Sequence, residues 1–246
     1  KILNKVKPNE FYHLAAQSYV DYSFEDQFST LSSNISSTHY CLSAIKEIGL
    51  KTKFYFAGSS EMFGKVKQTP QNEETPFHPR SPYGISKVAA FHTTKYFRQA
   101  HNLFASNGIL FNHESPRRGP TFVTKKIVQG LVRIKKGLQK KLTLGNLYAV
   151  RDWGHSKDYA ISMWKILQYK KPDDWVIATN KDQTVKKFIE LVAKKLNIHL
   201  KWRGKGIEEK GIDKDSKKII VDLDKKYLRP TEVDFLKGDF SKAKKY

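Results

Sequence analysis

Cysteine is nearly absent. Cys41 is the single one in 246 residues, so no disulfide framework holds this fold, and a cytoplasmic, reducing compartment is expected. No apolar run approaches the length needed for a membrane-spanning helix, and the first residues lack the charged-then-apolar pattern of a signal peptide. His13, His39, His78, His92, His101 and His199 lack metal-ligand spacing, so no metal is expected. Acidic residues are scarce, 24 against 45 basic ones, leaving a net charge of +21. Arginine is scarce too, at eight of those 45, and bidentate base readout prefers arginine. The lysine pairs, such as Lys135-Lys136, Lys186-Lys187 and Lys194-Lys195, are dispersed along the chain beside apolar residues at helical spacing. Solvated helix faces explain them better than a nucleic-acid surface, and an anionic small molecule would suit the same field.

What is present is an α/β pattern. With 39% apolar and 13% aromatic residues the chain can bury a core. Strands are expected at 10–16, 53–58, 104–111 and 174–178. Helices are expected at 24–48, 82–101, 122–136, 156–168 and 184–196. The stretches 65–81 and 203–218 read as loops. This alternation predicts a doubly wound parallel sheet, Rossmann-like, with a smaller interleaved domain. The Gly-rich turn that opens a dinucleotide-binding sheet is not in the sequence, and the chain opens at Lys1 inside a structured pattern. The 246 residues are therefore expected to be part of a longer polypeptide, and on their own to be unstable and inactive.

The sharpest local signal is Tyr83-Gly-Ile-Ser-Lys87 behind the Ser81-Pro82 helix start. A spacing of four puts phenol and ammonium on one helical face, where the cation favours the phenolate. Taken alone the pair is common by chance, but its surroundings are not. Strand 53–58 runs into Ser59-Ser60-Glu61, and strand 104–111 into Asn112-His113-Glu114-Ser115-Pro116-Arg117-Arg118. Hydroxyls, a carboxylate and paired guanidinium groups thus sit at the carboxyl ends of strands, where open α/β sheets bind ligands. Bland alternatives remain for each: turn hydroxyls for Ser59 and Ser60, a helix-start acid for Glu61, a surface pair for Arg151 with Asp152, a turn cap for Glu232.

These runs, with Phe11-Tyr-His-Leu-Ala-Ala-Gln-Ser18, Arg151-Asp-Trp-Gly-His155 and Arg229-Pro-Thr-Glu-Val-Asp234, resemble the extended short-chain dehydrogenase/reductase family. Within that family they resemble the GDP-mannose 4,6-dehydratase branch over nearly the whole chain. The resemblance implies an NADP-dependent internal redox dehydration of GDP-mannose to GDP-4-keto-6-deoxymannose, a step toward GDP-deoxysugars such as GDP-fucose or GDP-rhamnose. Tyr83, supported by Lys87, would take the proton of the C4 hydroxyl as hydride leaves C4 for NADP. Glu61 would remove the C5 proton and help expel the C6 hydroxyl before hydride returns to C6. Ser59, where the family usually carries Thr, would bond the sugar O4. Leu14, Ala15, Ala16, Gln17, Ser18, Tyr83, Lys87, His113 and Arg118 would line the cofactor. Ser60, Asn112, Lys126, Arg151, Arg229 and Glu232 would bind the GDP-sugar.

The same resemblance implies a homo-oligomer, a dimer or tetramer. It places an NADP-binding domain at residues 1–111 and 155–178, and a GDP-sugar-binding domain at 112–154 and 179–246. Ser29 stands where the family often has a cofactor-contacting Tyr. Three competing readings remain: another nucleotide-sugar dehydratase or epimerase, a non-catalytic nucleotide-sugar-binding paralogue, and a basic nucleic-acid-binding protein. Glu61 argues against an epimerase, which needs no such carboxylate. The intact set of Glu61, Tyr83 and Lys87 argues against decay.

Overall fold

The structure, a computed structural model, describes residues 1–246. In chain order the elements are α1 (Ile2–Val6), β1 (Glu10–His13), α2 (Tyr22–Glu25), α3 (Gln27–Ile48), β2 (Lys53–Ala57), α4 (Pro82–His101), β3 (Ala105–Leu110) and β4 (Asn112–Glu114). There follow α5 (Val123–Lys135), β5 (Leu142–Leu144), β6 (Val150–His155), α6 (Ser156–Gln168), β7 (Asp174–Ile177), β8 (Asp182–Thr184), α7 (Val185–Lys195), β9 (Leu200–Arg203), β10 (Lys210–Asp213), β11 (Ile219–Leu223) and α8 (Ser241–Lys245). The chain divides into two units: Lys1–His113 with Asp152–Asp182 and Phe235–Tyr246, and Glu114–Arg151 with Gln183–Asp234.

The first unit is built on an all-parallel sheet of order β1-β2-β3-β7, as the alternating pattern predicts. Strands β2, β3 and β7 are almost wholly buried, while the edge strand β1 is half-buried. The period of two sends Tyr55, Leu110, Trp175 and Ile177 into a cluster with Tyr159, Ile166 and Leu167 of α6. The alternate positions include Asn107, whose amide donates to the Phe91 carbonyl of α4 and to Asp174. The large Tyr55 ring lies across a glycine. A Cβ on Gly108 would come within 2.1 Å of the Tyr55 hydroxyl.

Residues 235–246, expected from the sequence with the sugar-binding part, pack in this first unit instead. Gly238 bridges Gln71 in parallel register, and Gln71 exchanges backbone hydrogen bonds with Lys237 and Asp239. The loop 65–81 is thereby held at its middle rather than left mobile. Asp152, wholly buried, accepts from Thr179 N, Thr179 Oγ1, Asn180 N and Gly238 N at 2.9, 2.6, 2.8 and 3.3 Å.

The second unit holds a mixed sheet of order β5-β11-β10-β9, and α5 packs beside α7. Here the sequence reading needs correction. The stretch 203–218, expected as a loop, supplies β10, which pairs antiparallel with β9 and β11. Its charges sit at strand positions because the hairpin is largely solvated, and Gly211 packs its bare backbone against Val221. The short strands β5 and β6 were also not anticipated. Three-residue β5 is too short to show a period, and β6, six residues long, carries Arg, Asp, Gly and His where an apolar run would mark a strand.

Gly108→Ala should cost about 1–3 kcal/mol through overpacking against Tyr55. Tyr55→Phe, which deletes a buried hydroxyl without a partner, should be neutral or stabilising. Urea unfolding of both variants in the complete reading frame checks the pair, and a destabilising Tyr55→Phe would contradict it.

Candidate functional site

Three chain segments build the first unit's site. After β2 the chain turns sharply: Ser59 is extended (φ −147°, ψ 145°), and its hydroxyl accepts from Glu61 N at 3.2 Å, capping a single turn of 3₁₀ helix over Ser60–Met62. Ser60 and Glu61 are both buried. The bland and the functional readings of Ser59 therefore coexist, since the hydroxyl that caps the turn is also carried to the strand end. Gly64 closes the turn at φ +56°, where any Cβ would collide with the His78 carbonyl.

Helix α4 begins as the sequence predicts. Ser81 Oγ accepts from Gly84 N at 3.0 Å, and Pro82 occupies the first turn. Gly84 brings this turn against the Glu61 carbonyl, which an added Cβ would meet at 2.9 Å. Glu61 and Tyr83 are thus placed on two turns in direct contact. One helical turn on, Lys87 is 4% exposed, and its ammonium donates to the Ala57 carbonyl at 2.8 Å. The same ammonium lies 5.8 Å from the centre of the Tyr83 ring and 5.0 Å from that of Phe56. Burial brings its pKa from 10.5 down to about 8. A cation held this close to a phenol is the arrangement that eases the phenol's proton loss near neutral pH.

The segment 14–18 follows β1 without regular structure, with Leu14, Ala15 and Ser18 exposed. It is fixed by Asn34 of α3, which sequence reasoning missed. Asn34 Oδ1 accepts from Gln17 N at 2.8 Å, and Asn34 Nδ2 donates to Gln17 O at 3.0 Å and to Ser86 Oγ at 2.9 Å. Ser86 in turn donates to the Tyr83 carbonyl at 2.7 Å. A signal existed: Thr30, Asn34 and Thr38 repeat at four-residue spacing, and all three are buried. A polar stripe at helical period on a buried face marks a hydrogen-bonded seam.

His13, assigned no site from sequence, is buried with Nε2 at 3.1 Å from Thr38 Oγ1. Burial first, and then the charge of Lys87, hold its pKa down at about 4, so it adds no second cation beside Lys87. At the end of β3, His113 Nδ1 donates to the Phe111 carbonyl at 2.9 Å, and the ring stacks on Tyr159 with centroids 4.6 Å apart. Asn112 Oδ1 and Gln17 Oε1 are buried acceptors without a partner. Orphaned acceptors at strand ends are what a bound ligand with hydroxyl or amide donors would satisfy.

In the second unit the sequence-selected cations are seated on rings and carboxylates. The Arg118 guanidinium lies 3.6 Å from the centre of the Phe122 ring and 3.3 Å from Glu114 Oε2. Burial pushes the Glu114 carboxyl up, against the lowering by Thr124, which donates to it at 2.5 Å, and by Arg118. The Lys126 ammonium sits 4.0 Å from the centre of the Tyr227 ring. Glu232 Oε1 meets Arg151 Nη2 at 3.5 Å and Arg229 Nη1 at 3.7 Å, so these three side chains do come together. The surface pair of Arg151 with Asp152 is not formed. Arg151 is buried and turns to Glu232, while Asp152 is saturated by backbone and Thr179 donors. No group of three or more His, Cys, Asp or Glu is placed to hold a metal ion, and no helix is long and apolar enough to cross a membrane.

The sequence profile of the family described as GDP-mannose 4,6 dehydratase matches residues 1–246. The chain is similar to the GDP-mannose 4,6 dehydratase of Homo sapiens, 50% identical over 246 residues that cover 99% of this chain and 66% of that protein. It is likewise similar to that of Vibrio cholerae, 48% identical over 256 residues, covering 99% and 69%. Across such curated relatives the chain spans from 62% to 70% of their length. Among solved structures, RMD from Pseudomonas aeruginosa complexed with NADPH matches with a TM-score of 0.80 at 24% identity, over 97% of this chain and 74% of that one. A Thermus thermophilus UDP-glucose 4-epimerase in complex with NAD matches with a TM-score of 0.80 at 22% identity, over 99% and 73%. The structural likenesses establish the shared fold.

Replacing Lys87 by Met should stabilise the protein at neutral pH. The folded-state pKa of about 8 lies below the unfolded 10.5, so between those values the unfolded chain holds a proton that the folded one releases. Stability should therefore rise with pH across that window, by on the order of 3 kcal/mol. Lys87→Met should lack that rise. Denaturant titrations at pH 7 and pH 10 of both proteins test it, and parallel pH profiles would refute it.

Proposed function

The chain belongs to the GDP-mannose 4,6-dehydratase family, and from that premise we propose that it carries the dehydration of GDP-mannose to GDP-4-keto-6-deoxymannose, with NADP as cofactor. The single observation that supports this reading is the close approach of the Glu61 carbonyl to Gly84 in the first turn of α4, which brings the turn carrying the buried Glu61 against the turn carrying Tyr83. An epimerase needs only the tyrosine and lysine. Dehydration also needs a base for the C5 proton.

In this reading Tyr83 accepts the proton of the sugar's C4 hydroxyl, and the ammonium of Lys87, pinned on the Ala57 carbonyl, favours the phenolate that receives it. Ser59 accepts or donates at O4. The 4-ketone acidifies the C5 proton, Glu61 removes it, and the same carboxyl hands a proton to the departing C6 hydroxyl. NADP, when bound, supplies the reversible redox step that makes the overall reaction a loss of water with no net oxidation. The residues present fit the reacting end of that cofactor: the exposed Leu14, Ala15 and Ser18, the orphaned acceptor of Gln17 and the ordered ring of His113 support it. The Gly-rich cradle for its pyrophosphate is not among these 246 residues.

On the second unit, Arg151, Arg229 and Glu232 suit a nucleoside diphosphate, two guanidinium groups for phosphate and a carboxylate to accept from a ribose hydroxyl. Lys126 adds charge there, and Arg118 belongs with the cofactor in this reading. The reading extends to a cytoplasmic homo-oligomer, for which the exposed Phe28 and Tyr40 of α3 and Tyr96 of α4 speak.

Glu61→Gln should leave GDP binding intact and slow dehydration about 10²- to 10⁴-fold. The test incubates the complete reading frame with GDP-mannose and catalytic NADP⁺ and follows the nucleotide sugar by mass spectrometry. Loss of one water without NADPH accumulating is expected for the parent. An unchanged mass despite GDP-mannose binding would overturn the catalytic reading.

A further inference from the structure

We propose that Tyr227, a residue no motif singles out, is a positioning residue for nucleotide binding: its ring holds the Lys126 ammonium where a diphosphate can meet it. The proposal rests on the reading of Lys126 as a nucleotide ligand.

Lys126 stands at the end of the first turn of α5, a turn with no acidic residue and no side-chain cap at Phe122. A lysine there faces the positive end of the helix, which disfavours it. What it meets instead is the face of Tyr227, with the ammonium 4.0 Å from the ring centre. A cation over an aromatic face gains an attractive electrostatic partner.

The ring is held in turn by its backbone. Tyr227 closes a single turn, Lys225–Tyr227, whose N-cap Asp224 accepts from Lys226 N at 3.0 Å. Asp224 N donates to the Leu144 carbonyl at 3.0 Å, tying the turn to β5. On the next residue, Gly145, a Cβ would lie 2.2 Å from the Tyr227 carbonyl oxygen, so the loop after β5 is pressed directly on Tyr227. Backbone contacts thus fix the tyrosine, a residue 44% exposed, and its ring carries Lys126 at 4.0 Å and, farther off, Lys226 at 5.0 Å.

The test uses the complete reading frame, with GDP alone as the calorimetric probe and GDP-mannose for kinetics. Tyr227→Leu should raise the Kd for GDP and the KM for GDP-mannose about three- to tenfold, with kcat kept within about twofold. Tyr227→Phe should restore both, since the face and not the hydroxyl acts. Tyr227→Gln offers a second non-aromatic variant if the leucine form does not fold. In a Lys126→Met background, Tyr227→Leu should add nothing further.

Equal impairment in Tyr227→Phe, a fall in kcat without a rise in KM, or full additivity with Lys126→Met would overturn the proposal. An unchanged Kd in Lys126→Met would overturn the assignment of Lys126 and the proposal with it. A raised Kd in Lys126→Met with none in Tyr227→Leu would overturn the proposal alone.

Discussion

A lysine ammonium buried to 4% exposure must be held by something, and here it is the Ala57 carbonyl at the end of β2. That one bond makes the rest of the first unit's geometry obligatory. Ala57 can present its carbonyl only where β2 stops pairing, between β1 and β3 in parallel register. Lys87 can reach it only if α4 starts where Ser81 caps it and Gly84 lets it approach the Glu61 turn. The desolvation that lowers the lysine's pKa also leaves its charge less screened by water. Burial also keeps the nearby His13 neutral, so Lys87 is not opposed by a second cation. Stability is given up at this position to keep an ammonium buried 5.8 Å from the centre of the Tyr83 ring.

The sheet and the helices around it were legible because each carries a period long enough to read. Strand β2 is an apolar run buried in the sheet, and α4 has both its start signal and its αL stop at Asn102. The Tyr83–Lys87 spacing states its own geometry, since four residues on a helix make one face. The antiparallel strand β10 was not legible. Lys210, Asp213 and Lys214 around Gly211 have the composition of a loop, and what makes them a strand is pairing with Trp202 and Val221, distant in sequence. Asn34 lay between these cases. Its four-residue spacing from Thr30 and Thr38 was visible, but that its amide would reach both Gln17 and Ser86 depends on how α3 packs beside α4.

The second unit shows a different economy. Its cations are abundant, and most are solvated or paired, including basic residues in the last turns of α5 and α7 that complement the helix dipoles. Charge alone therefore says little about binding there. Arg118, Lys126, Arg151 and Arg229 are each restrained, as are Arg98 on Asp174 and Lys186 on Glu209 and Trp202. Of the first four, one lies on Phe122, one on Tyr227, and two share Glu232. Holding a long side chain before the ligand arrives removes part of the ordering entropy of binding, which for such residues is comparable to the ion-pair energy itself.

The adjacent pair Arg151 and Asp152 shows why such sites resist reading one residue at a time. Neighbours of opposite charge invite a salt bridge, yet successive side chains of a strand point opposite ways. Arg151 donates to its neighbour's carbonyl, Val150 O, at 2.9 Å and turns to Glu232. Asp152 receives the turn after β7 and the Gly238 amide. Had the two paired with each other, the buried carboxylate would leave Thr179 and Asn180 amides without acceptors, at a cost exceeding the worth of an ion pair. The strand keeps two charges side by side in sequence because it turns them to two different partners, Arg151 to Glu232 and Asp152 to the turn after β7.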